Sequence, residues 1–120
     1  MEQIEASYNL RDLRPDYENT MVPGWVERSA CFRAEHESAR LDIAYGDGKR
    51  DQLDLFPVAD PKAPFLAYIH GGYWQRGDKS VYSFLARPFV AQGISVALVN
   101  YVFCPNVRLS AIAPQVRRAL

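Results

Sequence analysis

Two short apolar runs constrain the fold of this chain more than any other feature. Phe65-Leu66-Ala67-Tyr68-Ile69 and Ile94-Ser95-Val96-Ala97-Leu98-Val99 show no alternation of dry and wet faces. Continuous apolar runs of this length belong to strands covered on both sides, as in parallel sheets. Between them Tyr82, Leu85, Ala86, Phe89 and Val90 keep the spacing of a core-facing helix, and Gly93 is placed to end it. Strand, helix, strand is a βαβ unit whose strands run parallel. The sequence thus predicts neighbouring parallel strands at 65–70 and 94–99, joined by a helix over about 80–92. Pro88, which has no N–H to donate, should kink or interrupt that helix, and Asp78 or Ser80 could cap it.

The first run ends abruptly in His70-Gly71-Gly72-Tyr73-Trp74. Paired glycines just past a strand end mark backbone that takes positive φ or approaches something closely. In open α/β sheets, ligands lie outside the carboxyl ends of the strands, where this loop sits. The stretch resembles the HGGxW oxyanion loop of α/β-hydrolases, specifically the kynurenine formamidase (arylformamidase) and related esterase group. Gln52-Leu53-Asp54-Leu55-Phe56-Pro57 is similar to the second strand of that family. Asn100-Tyr101-Val102-Phe103-Cys104-Pro105 resembles its Asn-Tyr-x-Leu-x-Pro turn, with Phe103 where leucine is usual. The resemblance covers most of residues 41–120, with weaker similarity from Tyr8, and less than half of a full hydrolase.

What the resemblance implies is a serine hydrolase acting on small-molecule formamide or ester bonds. A serine attacks the carbonyl, a histidine carries the proton, and water deacylates the enzyme. Gly72 and Tyr73 would be the backbone oxyanion donors, with His70 and Gly71 supporting the motif. Tyr73 and Trp74 either wall the acyl or aromatic pocket or simply pack over the loop. No cofactor and no metal is implied.

The nucleophile of such an enzyme sits on a strand-to-helix turn of pattern G-x-S-x-G, followed later by an acid and a histidine. Gly93-Ile94-Ser95-Val96-Ala97 is the nearest match, but it has a helix before it and a strand after, the reverse of an elbow. His70 belongs to the loop and precedes any candidate serine. The expected architecture is therefore α/β, the N-terminal portion of an α/β-hydrolase fold and incomplete: an antiparallel hairpin over 40–57, then βαβ with flanking helices. Residues 1–40 form an N-terminal loop and helix segment, and 41–120 the first part of the core, ending before the elbow. Alone, the chain should be inactive. In the family's strand order the strand at 65–70 also borders the nucleophile strand, so its free side invites self-association. Two alternatives stand beside this reading: a non-catalytic small-molecule or anion-binding module, and a half-domain completed by a second chain. A dinucleotide site fits poorly, because the loop lacks G-x-G-x-x-G spacing and Trp74 would crowd a pyrophosphate.

The remaining stretches carry less. Residues 1–23 read as mixed and loop-like, with turn signals at Arg14-Pro15-Asp16 and Pro23-Gly24. From Trp25 to about Arg40 the spacing of Trp25, Ser29, Phe32 and His36 predicts a helix, and His36 reads as a surface or capping residue rather than a base. Leu109, Ile112, Ala113, Val116 and Leu120 predict a closing amphipathic helix. The chain has 14 basic and 14 acidic residues, which argues against nucleic acid or an anionic membrane as the main partner. The charge is uneven: residues 1–60 hold 7 basic and 13 acidic, residues 61–120 hold 7 basic and 1 acidic. That asymmetry marks either a basic patch or acidic partners elsewhere. Cys31 and Cys104 suffice for neither a disulfide framework nor a metal cluster. No apolar run suggests a signal peptide or a membrane span, which leaves the cytoplasm as the expected location.

Overall fold

A mixed sheet carries the chain. Its strands are β1 (Arg40–Ala44), β2 (Gln52–Phe56), β3 (Phe65–Ile69) and β4 (Ser95–Val99), in spatial order β1-β2-β4-β3. The computed structural model describes residues 2–120. β3 and β4 are parallel neighbours in the register Phe65 to Ser95 and Ile69 to Val99, as the two apolar runs require. The β1–β2 hairpin adds antiparallel, and β2 lies antiparallel against β4.

β4 has pairing partners on both sides, and Val96 to Val99 are fully buried. β3 departs from expectation. Phe65 and Ile69 are exposed, because among the described residues nothing pairs with the outer edge of β3 and one face there is bare. Phe56, Val96, Leu98 and Phe32 form the core on one side of the sheet, with Leu66 and Tyr68 of β3 packed against it. On the other side Leu53, Ala97 and Val99 form a thinner layer with Ile43, Leu55 and Ala119.

The helices follow local chemistry more closely than apolar spacing. Residues 1–23 were expected to be loop, but hold helix α1 (Glu2–Tyr8), the short α2 (Leu10–Leu13) and a π turn at Tyr17–Met21. Glu, Gln, Ala, Leu and Arg favour helix without help from a core. Ile4 and Tyr8 stay exposed, so among the described side chains α1 shows no burial pattern for a sequence reading to detect. Helix α3 (Val22–Glu35) begins before Trp25 because Pro23 sits in its first turn, where a missing N–H costs nothing. It ends well short of Arg40, at His36, whose Nε2 lies 3.0 Å from Pro57 O. Ser29 and Phe32 form its buried face.

The crossover predicted as one helix is two pieces, a 3-10 helix (Lys79–Leu85) and α4 (Ala86–Ala91). Pro88 cannot donate to the preceding turn, and the α-helical part starts just ahead of it, so that proline falls in the first turn. Asp78 is the cap, accepting from Ser80 N–H at 2.9 Å. The last helix, α5 (Leu109–Ala119), turns Ile112 and Gln115 inward, while Leu109, Ala113 and Leu120 of the predicted apolar face are exposed. Among the described residues no helix is long and apolar enough to cross a membrane.

The uneven charge has an internal cause. Lys79, Arg87 and Arg118 of the basic half pair with Asp42, Asp54, Glu35 and Asp51 of the acidic half.

Candidate functional site

Parallel pairing brings the two loops after β3 and β4 to one end of the sheet, since Ile69 stands beside Val99. The first loop is the glycine stretch and the second begins Asn100-Tyr101. Ser95 starts β4, four strand steps or roughly 13 Å away at the opposite end. Its Oγ accepts a hydrogen bond from Val58 N–H at 3.0 Å. It is a strand residue with a structural partner, far from the glycine loop.

His70 is buried to 1% exposure and its ring is sandwiched. Tyr101 lies 4.7 Å from it on one side and Tyr82 5.8 Å, nearly parallel, on the other. Nδ1 is 2.8 Å from Gly71 O and Nε2 is 3.2 Å from Asn100 Oδ1. The Tyr101 hydroxyl donates to His70 O at 2.9 Å. His70 thus locks the start of the loop to the start of its neighbour, and no ring nitrogen is left facing a substrate.

Beyond His70 the backbone winds through four unusual positions. Gly72 has φ 129°, Tyr73 55°, Trp74 60° and Gly77 105°. A Cβ at Gly72 would stand 2.0 Å from Arg76 O, and one at Gly77 2.6 Å from His70 Nδ1. Gly71, by contrast, faces open space. Left-handed backbone at two consecutive aromatic residues costs about 1–2 kcal/mol each, so outside contacts must impose it. Gly72 O accepts from Gln75 and Arg76 N–H at 3.0 and 3.1 Å, and Trp74 O accepts from Cys104 N–H at 2.8 Å. Among the described residues, neither Gly72 N–H nor Tyr73 N–H has an acceptor.

Asn100 joins the parts. Its Oδ1 accepts from Lys79 N–H at 2.8 Å, and its Nδ2 donates to Asp78 Oδ2 at 2.9 Å. Burial opposes a charge on Asp78, but donors from Ser80, Asn100 and the Lys79 charge outweigh it and hold the carboxyl below its ordinary range. Lys79 points into the core, 4% exposed, with Nζ 2.6 Å from Asp42 and 2.7 Å from Asp54. Burial opposes its charge too. The two carboxylates prevail and raise it above the usual lysine value. A bulge in β1, with Asp42 at φ 55°, brings the second carboxylate to Lys79.

Two open clefts flank the loop and share Gly71, Gly72 and Tyr73. The larger, about 580 Å³, reaches across Trp25, Tyr68 and Tyr82 to Tyr17. The smaller, about 270 Å³, is bounded by Trp74 and Tyr101. Tyr73 is 82% exposed on the ridge between them, and Trp74 is 45% exposed beside Tyr101. The structure therefore gathers all five residues of the motif at one end of the sheet.

Comparison with known proteins settles the family. Kynurenine formamidase of Danio rerio is 35% identical over 82 residues, which are 67% of this chain and 28% of that protein. A solved structure from Silicibacter sp., assigned as a "putative thioesterase", superposes with TM-score 0.78 at 36% identity over 85% of this chain and 40% of its own. The chain belongs to the α/β-hydrolase superfamily. A probable isoprenylcysteine alpha-carbonyl methylesterase of Oryza sativa is 31% identical over 96 residues, 78% of this chain and 23% of the relative. Esterase B of Lactobacillus, at 20% identity and TM-score 0.62, shares the fold over 81% of this chain and 35% of its own length. No protein-family model matches. The chain thus spans 23% to 40% of the length of the relatives named, and its mixed sheet with flanking helices is part of the fold of the two solved structures.

Sequence reading missed Arg50, Asp54 and Lys79 as parts of the site. Asp54 alternates with leucines in a strand and so reads as a wet-face residue, yet it is 1% exposed. The one available signal was the position of Lys79, four and seven residues ahead of Ser83 and Ala86, which are buried as it is.

Proposed function

We propose that this chain supplies the oxyanion loop of a serine hydrolase acting on formamide or ester bonds of a small molecule. The observation that carries the reading is the pair of adjacent amides, Gly72 and Tyr73 N–H, without acceptors in a loop whose flanks are pinned. Donors already committed to internal partners could not receive a developing negative charge.

In this reading the substrate carbonyl oxygen sits against the two amides, with a third donor from the residue after the nucleophile. Attack by serine moves charge onto that oxygen, and each preorganised donor stabilises it by about 3–4 kcal/mol. Tyr73 and Trp74 wall the two clefts on either side of the reacting carbonyl. Serine, acid and histidine of the reaction are assigned to chain outside these 120 residues, since no strand-to-helix G-x-S-x-G lies within them. Similarity to a formamidase and to a methylesterase supports carbonyl substrates bearing either a formamide or an ester.

A chimera tests this. The stretch of this chain that aligns with the Danio rerio kynurenine formamidase replaces its counterpart there, and N-formylkynurenine and p-nitrophenyl acetate are the substrates. Turnover is expected in the chimera. In it Gly72→Ala, whose Cβ meets Arg76 O, should lower kcat by about 10²–10³. A folded chimera that turns over equally well with Gly72→Ala would overturn the assignment.

A further inference from the structure

We infer that Arg50 is the positioning residue of this site, stapling the glycine loop to the loop after β4. This rests on the oxyanion reading of the glycine loop. Arg50 lies in the turn between β1 and β2, outside every motif of the sequence. Its Nε–H donates to Tyr101 O at 2.8 Å and its Nη2–H to Gly77 O at 3.0 Å. Nη1 is 3.5 Å from Asp78 Oδ2, and the guanidinium lies over the Phe103 ring, 3.9 Å from its centre. Gly77 and Asp78 close the glycine loop, whereas Tyr101 and Phe103 belong to the other. One planar cation spans both.

The hairpin turn that presents Arg50 is itself fixed. Tyr45 N–H donates to Asp51 O and Asp51 N–H to Gly48 O, both at 2.9 Å, and the Tyr45 hydroxyl donates to Asn100 O. The staple acts where the end of the loop is crowded against its start. Gly77 has no space for a Cβ against the His70 ring, so holding its carbonyl fixes that ring and, through it, Gly71. The left-handed turn at Tyr73 and Trp74 lies between His70 and Gly77 and needs both ends held. Arg50 is not a transition-state cation, because its donors are engaged by carbonyls and Asp78. Lysine cannot replace it: an ammonium offers no fork that spans two carbonyls in one plane.

Hydrogen exchange by mass spectrometry on the 120-residue chain tests the staple, with Arg50→Met and Arg50→Lys as variants. The reporters are the amides of Gln75, Arg76 and Cys104, whose hydrogen bonds define the loop. Arg50→Met should speed their exchange about tenfold or more, while β2 and β4 stay within about twofold of wild type. Arg50→Lys should recover only part of that protection, and it serves as the readout if the methionine variant fails to fold. Loop amides unchanged in Arg50→Lys and Arg50→Met, or exchange raised equally in β2 and β4, would overturn the inference. Benzoate is the carboxylate probe of the amides themselves. It should slow exchange at Gly72 and Tyr73 in wild type, with an affinity at least about tenfold weaker in Arg50→Met. Variants that loosen the loop in a protein where benzoate protects neither amide support the staple and sink the oxyanion reading alone.

Discussion

Replacing Lys79 by methionine isolates the buried charge on which the end of the glycine loop rests. Methionine keeps most of the side chain's volume, so little cavity is made and the loss is electrostatic. Two carboxylates then lose their partner, and they are not equivalent. The Asp54 side chain is 2% exposed and, among the described residues, keeps only a 2.9 Å hydrogen bond from Asp42 N–H, whereas the Asp42 side chain is 64% exposed and rehydrates. Breaking a buried pair from one side costs about 3–5 kcal/mol, and an exposed partner adds at most about 1 kcal/mol. Lys79→Met should therefore lose about 3–5 kcal/mol and Asp42→Asn less than about 1 kcal/mol. With a urea dependence of about 2 kcal/mol per molar, the first moves the midpoint by roughly 2 M. Lys79→Met with Asp54→Leu, which leaves no buried orphan charge, should be less damaging than Lys79→Met alone. Urea titrations followed by tryptophan fluorescence read all of these. A loss under about 1 kcal/mol for Lys79→Met, or an equal loss for Asp42→Asn, would show that water reaches the pair and refute the reasoning.

Alkali should unfold the chain from about pH 10 upward. Burial pushes the Tyr45 hydroxyl up to about 12. The folded chain therefore keeps a proton that the unfolded chain releases near pH 10, and stability falls between those values. Lys79, raised by its carboxylates, adds stability that is full below the ordinary lysine value and lost as pH passes the raised one. Circular dichroism across pH 8–12 should show that loss about pH 10 and above, and a chain unchanged to pH 12 would contradict it. The bare edge of β3 should drive self-association of the 120-residue polypeptide, and Phe65→Lys, at a 56% exposed position, should reduce it. Size-exclusion chromatography decides: a wild-type monomer at high concentration removes the case for edge pairing.

How much of this was legible in the sequence varied with the physics behind each element. β3, β4 and their parallel pairing were legible because apolar runs bounded by glycine and proline admit few other arrangements. The glycine loop was legible as a motif, but its positive φ at Tyr73 and Trp74 was not, since aromatic residues give no sign of left-handed backbone. α1 was invisible to apolar periodicity because Ile4 and Tyr8, its large apolar residues, are exposed. The split of the crossover just ahead of Pro88 was half legible: proline announces a break, but not whether 3-10 or α structure lies before it. Least legible were the pairings of Lys79 with Asp42 and Asp54 and of Arg50 with Tyr101 and Gly77. They join residues that only the sheet brings together, across sequence gaps that no local pattern spans. The β1 edge shows the same limit. Its bulge at Asp42 looks in sequence like simple alternation, yet it serves a lysine in another element.

The central claim concerns two atoms, the amide nitrogens of Gly72 and Tyr73. The most direct measurement is a crystal structure of the formamidase chimera inactivated with an aryl phosphonate, whose phosphonyl oxygen stands where the oxyanion forms. The account predicts that oxygen about 2.7–3.1 Å from both nitrogens, with Tyr73 and Trp74 still at positive φ. A phosphonyl oxygen held by other donors, with these two amides turned away or bonded within the protein, would contradict it.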